Sequence, residues 1–267
     1  MKTTTALLVL LTLSTPLSVN AAAFNEEVTA LERDSYEVSG ENQRLVNTYL
    51  RMLRYYNKRN FSVTRTVRVL MSNYPHHVEP IMLAALERYP KKYEHIIKAA
   101  IDAEPGFTKD VLAVAMYKQV ASPSELVRIA VEAEPAYADE IVAEAGKANP
   151  TSLEELVRVA VKVEPEMADS IMRSASSSQP EKVEGIVHAT LSVLPAIGDY
   201  ISNSLSDLIT FVTGREETDE EVKRQETISI LKGAHRAGMD YQELEALAEH
   251  HGIAREELAV VVNIEQP

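Results

Sequence analysis

The chain has 267 residues, with 27 basic and 40 acidic side chains, a net charge of −13, and neither cysteine nor tryptophan. So acidic a balance excludes nucleic-acid binding by general charge, because the phosphate backbone requires a basic surface. Without cysteine there are no disulfides and no thiolate metal clusters, and a packed apolar core must hold the fold.

Residues 1–23 read as a cleaved signal peptide. Lys2 supplies the positive start, Ala6 to Leu13 the apolar stretch, and Val19-Asn20-Ala21 or Ala21-Ala22-Ala23 the small-residue cleavage site. The stretch falls short of the ~20 apolar residues that span a bilayer, so no transmembrane segment is expected. The expected address is exported, periplasmic or secreted, in a bacterium. The segment contains one lysine and no acid, so its removal deepens the formal charge to −14.

A linker is expected over 24–43, and then the charge inverts. Residues 44–75 carry Arg44, Arg51, Arg54, Lys58, Arg59, Arg65 and Arg68 and no acid. The same stretch holds Tyr49, Tyr55, Tyr56 and Phe61. Arginine and tyrosine are enriched at binding hot spots, so Arg51, Arg54, Tyr55, Tyr56 and Arg59 are candidate partner contacts. The aromatics also suit the core of a degenerate first capping repeat.

Proline recurs at 75, 90, 105, 135, 150, 165, 180 and 195, with one defect at Val120, where the proline arrives late as Pro123. Cut into blocks of thirty, residues 76–195 align as four repeats without a gap. Ile81, Val111, Ile141 and Ile171 share one column, and Ala85, Ala115, Ala145 and Ala175 another. In the second half Ile96, Leu126, Leu156 and Ile186 align, and Ala100, Ala130, Ala160 and Thr190 follow four positions later. Apolar residues at i, i+1 and i+4 make one stripe of a helix. Proline bars the preceding residue from helical geometry and is tolerated in a first turn, so each proline is expected to close one helix and open the next. Capping boxes are expected at Ser122–Glu125 and Thr151–Glu154. The fold class is all-α: an α-solenoid of stacked two-helix, 30-residue repeats, 15 residues per helix, with degenerate end caps.

A closing helix is expected over 196–214 and an acidic helical module over 215–267, opened by a capping box at Thr218–Glu221 and punctuated by Gly238 and Gly252. Residues 196–267 carry six basic and fifteen acidic side chains. Leu247–Ile253 with the helix after it resembles the turn of a DNA-reading helix-turn-helix. Glu256 and Glu257 beside Arg255 would repel phosphate, so a plain helical hairpin is the better reading and no nucleic-acid partner is expected.

Arg68, Lys98, Arg128, Arg158 and His188 share one repeat position and form a basic stripe. Glu94, Glu154 and Glu184 stand four residues before Lys98, Arg158 and His188, the favourable orientation for a helical ion pair. Ser124 and Thr64 stand there for Arg128 and Arg68, which makes those two arginines further candidate partner contacts. His76-His77 and His250-His251 are adjacent on helices and diverge by about 100°, and no metal motif completes them. The run at Ser174, Ser176, Ser177 and Ser178 lacks a nucleophile elbow. No catalytic residue, cofactor or metal is assigned. The functional expectation is an exported, non-enzymatic scaffold or adaptor for an envelope protein or surface assembly, with head-to-tail self-association as a further possibility. The alternatives are a binder of an anionic glycan or exopolysaccharide and an accessory domain of an envelope enzyme.

Overall fold

The structure, a computed structural model, describes residues 40–194, 198–215 and 218–262, so the expected export signal lies outside it, as do linker residues 24–39. The described residues belong to one compact unit, 39–267, and they form α-helices and no strands. In chain order these are α1 (Gly40–Lys58), α2 (Val63–Asn73), α3 (Val78–Arg88), α4 (Tyr93–Ala103) and α5 (Thr108–Tyr117). Then come α6 (Pro123–Ala133), α7 (Ala138–Ala148), α8 (Leu153–Val163), α9 (Ala168–Ser178) and α10 (Val183–Leu191). The C-terminal part supplies α11 (Gly198–Thr213), α12 (Glu220–Arg236), α13 (Tyr241–His250) and α14 (Arg255–Val261).

Helix openings keep a stricter beat than the prolines do. α2 to α11 open at 63, 78, 93, 108, 123, 138, 153, 168, 183 and 198, fifteen residues apart without exception. At seven junctions the proline opens a 3-10 turn of three residues, and the α-helix starts after it. This corrects the expectation that each proline opens an α-helix directly. The residue before the proline leaves helical geometry, with φ between −132° and −145° and ψ between 56° and 84°, because the pyrrolidine ring disfavours the helical region there. Its N–H closes the outgoing helix and its carbonyl accepts from the incoming turn. Glu104, for example, donates to Ala100 O at 3.1 Å and accepts from Phe107 N at 3.0 Å.

The defect at Val120 is solved differently. α5 stops at Tyr117, Gln119 takes φ 49°, and Ser122 caps α6 by accepting from Glu125 N at 3.3 Å. Pro123 thus stands where every α-helix of the array opens, without a 3-10 turn before it. The other two expected boxes are corrected. Ser152 precedes α8 without a side-chain cap, because Pro150–Ser152 already forms the entry turn. At α12 the cap is Asp219, which accepts from Glu221 N at 2.8 Å, in place of Thr218.

Packing follows from the stripes. Each helix of eleven residues is about 16 Å long and marginal by itself in water, so its stability comes from its neighbours. Odd-numbered helices from α1 to α9 pack on one another as one layer, and even-numbered helices from α2 to α12 as the other. The aligned columns close the space between layers: Ile81, Val111, Ile141, Ile171, Ile96, Leu126, Leu156 and Ile186 are fully buried, as are the four alanines from Ala85 to Ala175. Each large aliphatic buried in this way contributes about 1.5–3 kcal/mol. α12 extends the even layer beyond the last proline-marked repeat, and Gly233 lets it approach the Glu184 carbonyl of α10. α13 and α14 fold against this end, where Arg224 of α12 pairs with Glu257 and Arg255 with Glu245.

Candidate partner interface

α1 has two faces. Val46, Tyr49 and Leu53 are buried, with Tyr49 sealed at 3% exposure and its hydroxyl 2.6 Å from His77 Nδ1. Burial raises the Tyr49 phenol above its usual pKa, with Tyr74 adding to the shift. On the opposite side Arg44, Arg51, Arg54, Tyr55 and Lys58 are exposed. Arg44, Arg51 and Lys58 are seven residues apart, so they fall on nearly one line, with about 10 Å of rise between neighbours. Arg51 Nη2 donates to Thr48 Oγ1 at 3.2 Å, and Arg54 Nε to Leu50 O at 3.2 Å, which holds both guanidiniums along the helix.

The turn after α1 and the first turn of α2 add one cation each, Arg59 and Arg65. Asn60 takes φ 60°, a left-handed conformation that asparagine tolerates well, and Phe61 N returns to Tyr56 O at 3.1 Å. The Arg59 guanidinium then lies 4.7 Å from the Tyr55 ring centre, and that of Arg65 4.3 Å from Phe61. Tyr55 is 52% exposed, whereas Tyr56 is half-buried, with its ring 5.4 Å from that of Phe61. Among the described residues Arg44, Arg51, Arg54, Lys58, Arg59 and Arg65 form no ion pair. The structure thus brings Arg51, Arg54, Tyr55 and Arg59 together on one surface and turns Tyr56 partly inward.

Arg68 and Arg128 do not belong to that surface and are not unpaired cations. Arg68, on α2, reaches Asp102 of α4 at 2.5 Å. Arg128, on α6, binds Glu125 at 2.7 Å and Glu132, with Glu94 of α4 at 3.8 Å. A search four positions upstream misses these partners, which stand at i−3, i+4 and one repeat away. Lys98 bridges Glu94 at 3.1 Å and Glu132 at 2.9 Å, and Arg158 meets Glu155 at 2.5 Å. The hydrogen bond from Arg128 holds the Glu125 carboxyl below its usual pKa, and those from Lys98 and Arg128 do so for Glu132. Arg128 and Lys98 are raised in return. From α2 to α6 the stripe is a ladder of ion pairs that ties successive even-layer helices together, while Arg158 pairs within α8.

The histidine pairs are split by their surroundings. His77 faces Tyr49 and Tyr74, while His76 packs edge-on to Phe107. His251 Nε2 lies 3.0 Å from Ser206 Oγ, and burial, with His250 adding, lowers its pKa. Among the described residues no three metal-ligating side chains converge, and no helix is long and apolar enough to cross a membrane.

Sequence reasoning also missed a groove between α7, α9 and α11. Asp139, Ser170, Arg173, Ser174, Ser177, Ser178 and Phe211 line a cavity of about 390 Å³. The available signal was a break in the repeat: the column reading Leu83, Ala113 and Ala143 ends in Arg173. No family model, curated protein or solved structure matches the chain.

Proposed function

We propose that the chain is a non-catalytic docking scaffold, exported from a bacterial cell, whose α1 face engages an acidic surface of a cell-envelope protein. One observation carries this reading: at one end of an acidic protein six cations form no ion pair among the described residues, and two of them lie over aromatic rings. Elsewhere on the array, Arg68, Lys98, Arg128 and Arg158 are all paired with acids.

The arrangement works against stability. Arg51 with Arg54, and Arg54 with Lys58, are like charges three and four residues apart, each pair unfavourable by about 0.2–0.5 kcal/mol. Such local conflict marks positions that serve something other than folding. Guanidiniums laid over aromatic rings offer planar donors to a carboxylate, with an apolar rim that excludes water. Residues 1–23, read as an export signal, support the envelope address.

The test immobilises the purified chain and captures proteins from an envelope fraction as salt is raised. Capture that fades with salt, and that Arg51→Glu, Arg54→Glu and Arg59→Glu together abolish while helicity is retained, supports the proposal. Capture that is indifferent to both overturns it.

A further inference from the structure

Beyond the docking face, the groove between α7, α9 and α11 has a chemistry of its own. Along the odd layer each helix packs closely on the next until α9, and the step from α9 to α11 is looser than the earlier ones. The gap is lined by polar groups. Ser170 Oγ donates to Met167 O at 3.0 Å, Ser174 Oγ to Asp139 O at 3.4 Å and Ser178 Oγ to Ser174 O at 3.0 Å. A hydroxyl whose proton is committed to a carbonyl still offers lone pairs. These serines and the Asp139 carboxylate therefore present acceptors to whatever enters.

The groove also holds one cation and one ring. Arg173 is exposed and has no ion-pair partner among the described residues, nor has Asp139. The Arg173 guanidinium lies 5.7 Å from the centre of the Phe211 ring, and that of Arg215 lies 5.4 Å from the same ring. Arg215 is anchored by Glu226 at 3.3 Å, yet its buried Nη2 has no hydrogen-bond partner among the described residues. A ligand suited to this groove donates several hydrogen bonds, carries one anionic group and presents an apolar patch to Phe211.

We propose that the groove between α7, α9 and α11 is a subsite for an acidic sugar, a hydroxyl-rich ring bearing a carboxylate, as in a uronic-acid unit of a glycan. The sugar hydroxyls donate to Asp139 and to the Oγ atoms of Ser170, Ser174 and Ser178. Its carboxylate takes the planar fork of Arg173, and a C–H face of the ring lies against Phe211. The groove, about 390 Å³ in volume, is open and polar, which suits a polymer passing through it better than an enclosed apolar ligand. This site is separate from α1, so its failure leaves the docking proposal standing, and the reverse also holds.

The experiment titrates the purified chain with an oligomer of glucuronic acid and with the same oligomer after its carboxylates have been reduced to alcohols, reading heat and backbone amide shifts. The proposal expects saturable binding of the acidic oligomer, with shifts centred on 170–178 and 211. Arg173→Ala should weaken it by about tenfold or more, the scale of one lost charged hydrogen bond. Phe211→Ala should weaken it several-fold, and Arg128→Ala should leave it unchanged. Four results overturn the assignment: no binding at millimolar oligomer, equal binding of the reduced oligomer, binding indifferent to Arg173→Ala, or loss in Arg128→Ala. The exposed positions of Arg173 and Phe211 let both variants retain the fold, which far-ultraviolet circular dichroism verifies.

Discussion

Gly233 of α12 packs against the Glu184 carbonyl of α10 so closely that a Cβ there would overlap the carbonyl and stand 2.8 Å from Val187 Cβ. The same interface carries the ion pair between Arg236 and Glu184 at 2.8 Å. Backbone cannot yield as a flexible side chain can, so this glycine sets how far the even layer extends past the proline-marked repeats.

Gly233→Ala is therefore expected to destabilise, although alanine favours a helix over glycine by about 1 kcal/mol. The overpacking cost of about 1–3 kcal/mol prevails. Gly106→Ala, where nothing lies within 4 Å, is the control and should be neutral or slightly stabilising. Urea unfolding of both variants measures the difference.

Ala145 and Ala160 are both fully buried between layers. Ala145→Leu and Ala160→Leu should each lower stability by about 1–3 kcal/mol through overpacking. Unchanged thermal unfolding would show that these columns do not face a neighbouring helix.

Two serines that look alike in sequence should behave differently. Ser122→Ala removes the bond to Glu125 N and should cost about 1 kcal/mol. Ser152→Ala removes no cap and should leave the unfolding midpoint in place.

What the sequence made legible follows from the range of each interaction. Proline geometry and apolar spacing are local, so the thirty-residue register and the buried columns from Ile81 to Ile186 are readable from the chain. The 3-10 turn that opens at seven of the prolines is also local, yet proline in a first turn fits either helix, and only the helix openings reveal which is used. The partners of Arg68 and Arg128 depend on the spacing between stacked helices, which sequence does not measure. The Gly233 contact and the Arg173–Phe211 groove depend on how closely α11 and α12 settle on the repeats before them, a spacing that the fifteen-residue beat does not specify.

The Glu125 and Glu132 carboxyls are held below their usual range by Arg128 and Lys98. A lowered carboxyl pKa contributes stability that is fully present above the unfolded value, about 4.3, and is lost as pH falls through the folded value. Both groups are about a third exposed, so solvent screening limits the effect to about 1 kcal/mol or less. Between neutral pH and pH 3 the wild type should lose more stability than Arg128→Gln, whose curve should be flatter. Parallel curves would mean the ladder contributes nothing measurable.

Neutralising the α1 face should ease its internal repulsion. Arg54→Gln is expected to leave stability unchanged or raise it by a few tenths of a kcal/mol, read as the thermal unfolding midpoint, while weakening capture. A clear loss of stability would mean that Arg54 serves the fold instead.

Docking is proposed to reside in the cations on and just after α1, which form no ion pair among the described residues, and not in the paired stripe. The most direct measurement compares salt-dependent capture from the envelope fraction by three forms of the chain. These are the wild type, the triple variant Arg51→Glu, Arg54→Glu and Arg59→Glu, and the double variant Arg68→Gln and Arg128→Gln. The account predicts that the triple variant loses capture and the double variant keeps it, with wild-type capture fading as added salt shortens the Debye length below about 8 Å. Capture retained by the triple variant and lost by the double variant would contradict it and place the interface on the even-layer stripe.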